Sequence, residues 1–297
     1  MSWEAVARKD FRDAVRSRTL WALSALFVLV FSVPTVLRFF VQAPANAQQA
    51  QQGVVSVFIF LIKEATAVLV PLIAIVVAYA AITRERESGT LKLLLSLPHS
   101  RDDVVVGKVL GRSAVVALPI AVGFAVAALV LLAAGGTFDP AVYVGFAVLT
   151  AALGVVFVAV AVGISAATES TQRAVYAAVG YFLVVNFGWN WLANKFADGM
   201  QQLLGLGSPG RYEVLLFVKL LNPIQAYKTL VDSLLGPALA ARQQMFGFFL
   251  FPDPAAQEAL GESLAVPFTD PFVGLYLSFW VFAPVALGLW SFRERDL

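Results

Sequence analysis

The sequence contains no cysteine and only one histidine, His99, among 297 residues. The first absence excludes a disulfide scaffold, thiolate metal sites and a cysteine nucleophile together. The second leaves no set of histidines to hold a metal or haem. Charge is scarce too: 13% of the residues are charged, where soluble domains carry about 25%. The 21 basic and 19 acidic residues are too evenly balanced to mark nucleic acid as the partner. No G-x-x-x-x-G-K-[ST] occurs; Gly107-Lys108 is followed by Val109 and lacks the upstream glycine, so the chain cannot cradle ATP phosphates by that device. An intramembrane enzyme finds little support, because H-E-x-x-H is absent, no span carries paired carboxylates, and Gly163-Ile164-Ser165 has no base nearby in sequence. No internal repeat is visible, so an inverted-repeat secondary transporter gains nothing.

Apolar residues are abundant instead, at 60% of the chain. Six stretches reach the ~20 residues that a membrane-spanning helix needs. They run Thr19–Val41, Lys63–Thr83, Ser113–Ala134, Ala141–Ala166, Ala174–Leu192 and Pro271–Trp290. In lipid the backbone must satisfy its own polar groups, and such runs do so as helices. The expected fold is therefore all-α, a polytopic membrane protein of one transmembrane domain over residues 1–297. The second span has two possible outer ends, because Val54–Ile62 is also apolar. As one helix Val54–Ile82 would measure about 43 Å against a core of about 30 Å. The first span is longer than a signal-peptide core and no small-x-small site ends it clearly, so it reads as retained.

Lysine and arginine set the orientation. Met1–Arg18, Arg84–Arg112, Ala167–Arg173 and Ser291–Leu297 hold 5, 6, 1 and 2 basic residues, while Gln42–Ile62 and Gly135–Pro140 hold none. The positive-inside rule puts both termini in the cytoplasm of a multi-pass cell-membrane protein. Asn194–Asp270 is the long outer segment. Its 5 basic residues lie in a loop of 77 residues, a length at which charge counts little. The glutamine-rich Gln42–Gln52 reads as a polar connector.

Residues Trp3–Val15 put Trp3, Val6, Ala7, Phe11, Ala14 and Val15 on one helical face and Arg8, Lys9, Arg12, Asp13 and Arg16 on the other. A basic amphipathic helix of this kind lies in the bilayer interface with Trp3 and Phe11 at headgroup depth. Two readings stand: a plain anchor, or an elbow helix that moves with the first span. Arg84–Lys108, RERESGTLKLLLSLPHSRDDVVVGK, is the most informative stretch. Charges from Arg84 to Glu87 end the second span, Gly89 permits a bend, and Thr90 can cap a short helix. Leu91, Leu94 and Leu95 form a stripe that Pro98 stops. A charge-flanked, half-apolar helix of this kind suits docking into a groove on a soluble partner; the plainer reading is a helix-ending charge cluster with an interfacial turn.

Glu85-Arg86-Glu87-Ser88-Gly89-Thr90-Leu91, then Leu94-Leu95, Pro98, Arg101 and Gly107-Lys108, resembles the loop after the second span in ABC-2 type transporter permeases. It is similar in particular to the branch that contains the membrane subunit of the transporter for copper-site maturation of nitrous oxide reductase. The amphipathic N-terminal helix, the six spans and the long outer loop extend the likeness over nearly the whole chain. Lys92 departs from the acid common at that position. The resemblance implies that residues 84–100 form a coupling helix seated in a nucleotide-binding subunit, with Glu85, Glu87, Gly89, Thr90, Leu91, Leu94 and Pro98 at the contact. It further implies a homodimeric exporter whose ATP and Mg sit on a separate ATPase subunit, with no cofactor and no metal in this chain.

In the outer segment Arg211–Leu221 is largely apolar, and Asn222-Pro223 is a helix-start signal before Ile224–Leu235. Two short helices meeting at an angle are expected there, as a cap over the outer mouth or as a platform for an extracytoplasmic partner. Gly247–Pro252 (GFFLFP) is an apolar cluster set to lie on the helices beneath it. Charges near the ends of spans, Arg38, Lys63 and Glu64, read as snorkelling or interfacial. Asn186 and Asn190 share a face at i, i+4 beside Trp189, which suits a dimer face or a conduit; Trp189 and Trp191 also suit interfacial anchoring. The Ala/Val-rich spans and the lack of cysteine point to a prokaryotic source.

Overall fold

A computed structural model describes residues 3–16, 18–40, 48–91, 100–133, 135, 138–247 and 253–294. The predicted stripe residues Leu94, Leu95 and Pro98, with Lys92 and His99, lie outside the described residues, as do most of the Gln42–Gln52 connector and residues 248–252 of the apolar cluster. The side chain of Arg38 lies outside them too.

Among the described residues every regular element is helical: α1 (Trp3–Val15), α2 (Arg18–Phe40), α3 (Gln48–Ala78), α4 (Thr83–Glu87), α5 (Arg101–Ala133), α6 (Pro140–Ala167), α7 (Thr171–Leu183), a π turn (Val184–Gly188), α8 (Trp189–Leu204), α9 (Ser208–Leu220), α10 (Pro223–Leu235), α11 (Ala238–Gln244), α12 (Pro254–Leu260), a 3-10 turn (Val266–Phe268) and α13 (Asp270–Arg293). Five of them, α2, α3, α5, α6 and α13, are long and apolar enough to cross a membrane. Helices α9 and α10 pass the same test only as a pair, bent by 102° at their junction, the form of a broken span or a re-entrant loop. The expected fifth span, Ala174–Leu192, is helical throughout but is not among the five, because the π turn divides it between α7 and α8, each too short to qualify.

Helix α6 is the hub. Its sequence is apolar on every face, the pattern of a helix buried on all sides, and Leu153 and Val156–Val162 are almost wholly enclosed. It packs on α3, α5 and α13. The crossing with α13 is backbone on backbone: a Cβ added at Gly288 would lie 2.7 Å from the carbonyl oxygen of Gly163, and one at Gly163 would run into the carbonyl oxygen of Pro284. Small residues bring membrane helices this close, where many weak contacts act together. Lipid is left the outer faces, where Phe279, Phe282 and Trp290 of α13 and Trp21 of α2 are exposed.

Several boundaries move relative to the sequence expectation. Helix α3 takes in Val54–Ile62 as one helix with Lys63–Ala78. It stops at Ala78 rather than at Thr83, because the amides of Ile82 and Thr83 donate to the Ser165 hydroxyl of α6 at 3.1 and 3.2 Å. Helix α5 starts at Arg101, well before the expected third span. Ser100 and Asp103 form a reciprocal capping box: each side chain accepts the other's amide at 3.0 Å. Asp139 caps α6 in the same spirit, accepting from Ala141 at 2.8 Å with Pro140 as the first helical residue.

The two short helices expected after residue 194 are present. Asn222 accepts from the amides of Ile224 and Gln225 at 2.8 and 3.3 Å and so turns the chain from α9 into α10. Lys63 and Glu64 do not simply mark an interface, since both pair with α10. Lys63 is buried and lies 2.5 Å from Asp232, while Glu64 lies 2.6 Å from Lys228. Beneath them Tyr227 shares hydrogen bonds with Thr66 of α3 at 2.8 Å and Thr150 of α6 at 3.1 Å.

Candidate coupling site

Helix α1, α4, the start of α5, the α6–α7 turn and the end of α13 gather at one end of the bundle, called here the terminal end. The charged cluster that follows α3 sits at their centre. Ser165 anchors the head of α4 through two backbone amides, which places Thr83 beside the α6–α7 turn. The Thr83 and Thr171 hydroxyls lie 3.2 Å apart, Thr171 accepting. Arg86 donates to the carbonyl of Thr168 at 2.7 Å. Glu87 closes this side: its Oε1 accepts the Thr171 amide at 2.7 Å and its Oε2 the Thr171 hydroxyl at 2.8 Å. Those bonds, at the positive N-terminus of α7, hold the Glu87 carboxyl below the usual carboxylate range.

The other side of α4 is tied by an ion network. Lys108, 1% exposed, lies 2.7 Å from Glu85 and 3.7 Å from Asp10 of α1. Arg112, one turn on, donates to the second Asp10 oxygen at 3.1 Å and to the carbonyl of Val77 at 3.3 Å. The network requires α1 to lie tightly on α5, and Gly107 and Gly111 allow this. A Cβ at Gly107 would come within 2.7 Å of the Val6 Cβ, and one at Gly111 within 2.9 Å of the Asp10 Cβ. A buried lysine left without its carboxylates is costly, so α1, α4 and α5 are held in one register.

A third tie reaches α13. Arg101 donates to the carbonyls of Phe292 at 2.6 Å and Arg293 at 2.9 Å, which satisfies the open end of that helix. Arg293 answers by pairing with Asp102, its Nε 2.9 Å from Oδ1. The buried Phe292 ring lies between the two cations Arg86 and Arg101, each 5.5 Å from its centroid.

Of the predicted contact residues, Glu85, Glu87, Gly89, Thr90 and Leu91 fall among the described residues. Glu85 turns its carboxylate inward to Lys108, while Glu87 bonds to Thr171 at the exposed surface. Gly89 adopts φ +74 with open space around it, the left-handed conformation that glycine alone takes freely. Thr90 is exposed, donates to the Glu85 carbonyl at 3.3 Å and shares a 2.8 Å bond with Ser88. Leu91 is buried in the core. On α1, Trp3 is 41% exposed and Phe11 half-buried.

Asn186, Trp189 and Asn190 are not brought together as a polar group. The π turn separates their roles: Asn186 bonds back to Phe182, Trp189 donates to the carbonyl of Val218 on α9 at 2.9 Å, and Asn190 is exposed. Among the described residues no group of acidic, histidine or cysteine side chains is placed to hold a metal.

The residues that sequence reasoning missed are Asp10, Lys108, Arg112, Ser165 and Thr171. The first three left a trace: Lys108 and Arg112 stand at i, i+4 on a mostly apolar helix, one residue after Gly107 and Gly111, and Asp10 falls on the same stripe of α1 as Val6 and Ala7.

The structure is thus a helical bundle with five apolar helices long enough to cross a membrane and a charged loop after α3 tied to its neighbours, and the sequence comparison gives its class. Residues 4–297 match the model of the ABC-2 family transporter protein, and this chain belongs to that family. Among known proteins it is similar to the probable ABC transporter permease protein NosY of Pseudomonas aeruginosa, 32% identical over 298 residues, with 98% of each chain covered. The protein of the same name from Stutzerimonas stutzeri is 31% identical over 296 residues, covering 98% of this chain and 97% of that one. The chain is thus an ABC-2 permease, a multi-pass membrane component of an ABC transporter.

Proposed function

We propose that this chain works as the homodimeric membrane subunit of an ATP-driven exporter, with both termini in the cytoplasm and ATP and Mg bound on a separate nucleotide-binding subunit. On this reading α1 is the elbow helix, residues 84–100 form the coupling element, and residues 194–270 lie outside. The single observation that carries it is the bonding of α4: Ser165, Thr171, Lys108 and, through Lys108, Asp10 join it to α6, α7, α5 and α1. A push delivered to this short helix is passed through these contacts to the ends of the spans. The excess of lysine and arginine on the segments at that end supports the orientation. The likeness to proteins named as permeases supports the need for an ATPase partner.

The test is a complex of this chain with its co-purified ATPase, reconstituted in lipid. Glu87→Ala and Gly89→Val should abolish coupled ATP hydrolysis and transport while leaving the permease folded and dimeric. Unchanged hydrolysis and transport in both variants would refute the coupling role. A second reading, a scaffold that relays ATPase-driven movement to an extracytoplasmic partner, is favoured by the well-packed helices α9–α12. Deleting Gln243–Glu262 separates the two: the scaffold reading expects partner binding to go while ATPase coupling stays.

A further inference from the structure

A cavity of about 430 Å³ opens at the terminal end between α1, α2, α3, α4 and α5, within the ~300–1,000 Å³ typical of small-ligand sites. Its lower part is apolar, built from Leu20 and Leu23 of α2, Val76 of α3 and Val115 of α5. Val76 is 60% exposed and so opens this part to the lipid side. The upper rim is charged. Asp10, Glu85 and Arg112 line it but are already committed to one another and to Lys108. Two rim residues are not: Asp13 and Arg84 are exposed and enter no ion pair among the described residues.

We propose that this cavity binds one phospholipid with a zwitterionic, primary-amine headgroup of the phosphoethanolamine type. One positive and one negative charge on a single rim complement a headgroup that carries both. The phosphate takes Arg84 and the donors of Arg112 that Asp10 and Val77 leave unused, since a guanidinium has five N–H groups. The ammonium takes Asp13. A quaternary choline has no N–H to donate to that carboxylate, and a purely anionic headgroup meets three carboxylates on the rim. The apolar lower part assigns the source to a bilayer lipid rather than to a free phosphoamine, because Leu23, Val76 and Val115 can only be satisfied by an acyl chain. Bound there, the lipid joins α1 to the first two spans. The site requires only that the chain span a bilayer, so it stands whichever end faces the cytoplasm and whether or not an ATPase is bound.

The experiment uses the full chain in nanodiscs of equal phosphatidylethanolamine, phosphatidylcholine and phosphatidylglycerol, extracted into mild detergent and weighed by native mass spectrometry. One phosphatidylethanolamine per chain should be retained, favoured about tenfold over either of the others, the worth of one charge-assisted hydrogen bond. Asp13→Asn should erase the preference over phosphatidylcholine, and Arg84→Gln should lose retention of all three. Leu23→Trp, which fills the apolar part, should also lose the lipid, and it keeps the test open if either charge variant fails to fold. Equal retention of the three lipids, a preference for phosphatidylglycerol, or wild-type retention in the variants overturns the proposal. Displacement of the lipid by excess phosphoethanolamine overturns the lipid assignment.

Discussion

Two cations are buried at opposite ends of this bundle and are held by different chemistry. At the terminal end Lys108 is caged by carboxylates from two other elements, Asp10 of α1 and Glu85 of α4. At the far end Arg242 of α11, 0% exposed, donates to the carbonyl of Phe268 at 3.0 Å, the hydroxyls of Thr229 and Ser233 at 2.9 Å each, and the carboxylate of Asp270 at 2.5 Å. Its partners are therefore mostly neutral groups on or close to the backbone of α10 and of the turn that begins α13. Lys108 is bound by side chains that can rotate away and be hydrated; Glu85 is 26% exposed. Arg242 is held by one group that moves only with the backbone, the Phe268 carbonyl, together with the neutral hydroxyls of Thr229 and Ser233 and the Asp270 carboxylate. The terminal end is a joint, and the far end is a rivet.

The comparison breaks first at the rivet. Arg242→Met should cost about 3–5 kcal/mol, because it leaves the Phe268 carbonyl and the Thr229 and Ser233 hydroxyls without their donor at about 1–3 kcal/mol for each group that stays buried, read as a large fall in the melting temperature of the purified protein. Lys108→Met should cost less, about 2–3 kcal/mol, because it leaves no buried backbone carbonyl or hydroxyl without its donor and Asp10 keeps Arg112. A double-mutant cycle sharpens the contrast. Adding Glu85→Gln to Lys108→Met should recover part of the loss, whereas adding Asp270→Asn to Arg242→Met should recover little, since the Phe268 carbonyl stays buried and unpaired. Equal recovery in the two cycles would erase the distinction. Ser165→Ala should cost about 1–2 kcal/mol by leaving the amides of Ile82 and Thr83 without their acceptor, and the effect should appear as faster hydrogen exchange confined to residues 79–87. Gly89→Ala should be the mildest, near 1 kcal/mol of backbone strain at φ +74, with Gly89→Asn milder still because asparagine tolerates that conformation.

Local chemistry was legible in the sequence where a neighbour in the chain completes it. The bounds of α1 follow from its apolar stripe, and the bend between α9 and α10 follows from Asn222-Pro223, where the cap accepts amides two and three residues away. The apolar run of α6 was legible as a membrane-spanning helix. What the sequence could not disclose depends on partners far along the chain. Nothing near Thr83 predicts that Ser165, 82 residues on, will take its amide and end α3 early. The acids at 85 and 87 read as outward-facing charges because their partners, Lys108 and Thr171, belong to other helices. Lys63 and Glu64 read as interfacial for the same reason, since Asp232 and Lys228 face them only after α10 folds back.

The π turn at Val184–Gly188 carries a consequence for how one rod serves two neighbourhoods. Before it, Ala178 and Phe182 belong to the main core, as does Val185 within the turn; after it, Ala193 and Ala197 belong to a separate small core with Leu215 of α9, and Trp189 touches both. Each residue advances a helix by about 100°, so the extra residue held in a π turn acts as a phase shift that lets the second half aim elsewhere without a break. Removing that one residue, for example Phe187, would return the rod to an ordinary pitch. Every side chain after it would then be indexed away from α9, and the Trp189 bond to Val218 would be lost with the small core. In this chain the orientation of α9, and of the bent pair it begins, is written in a single insertion.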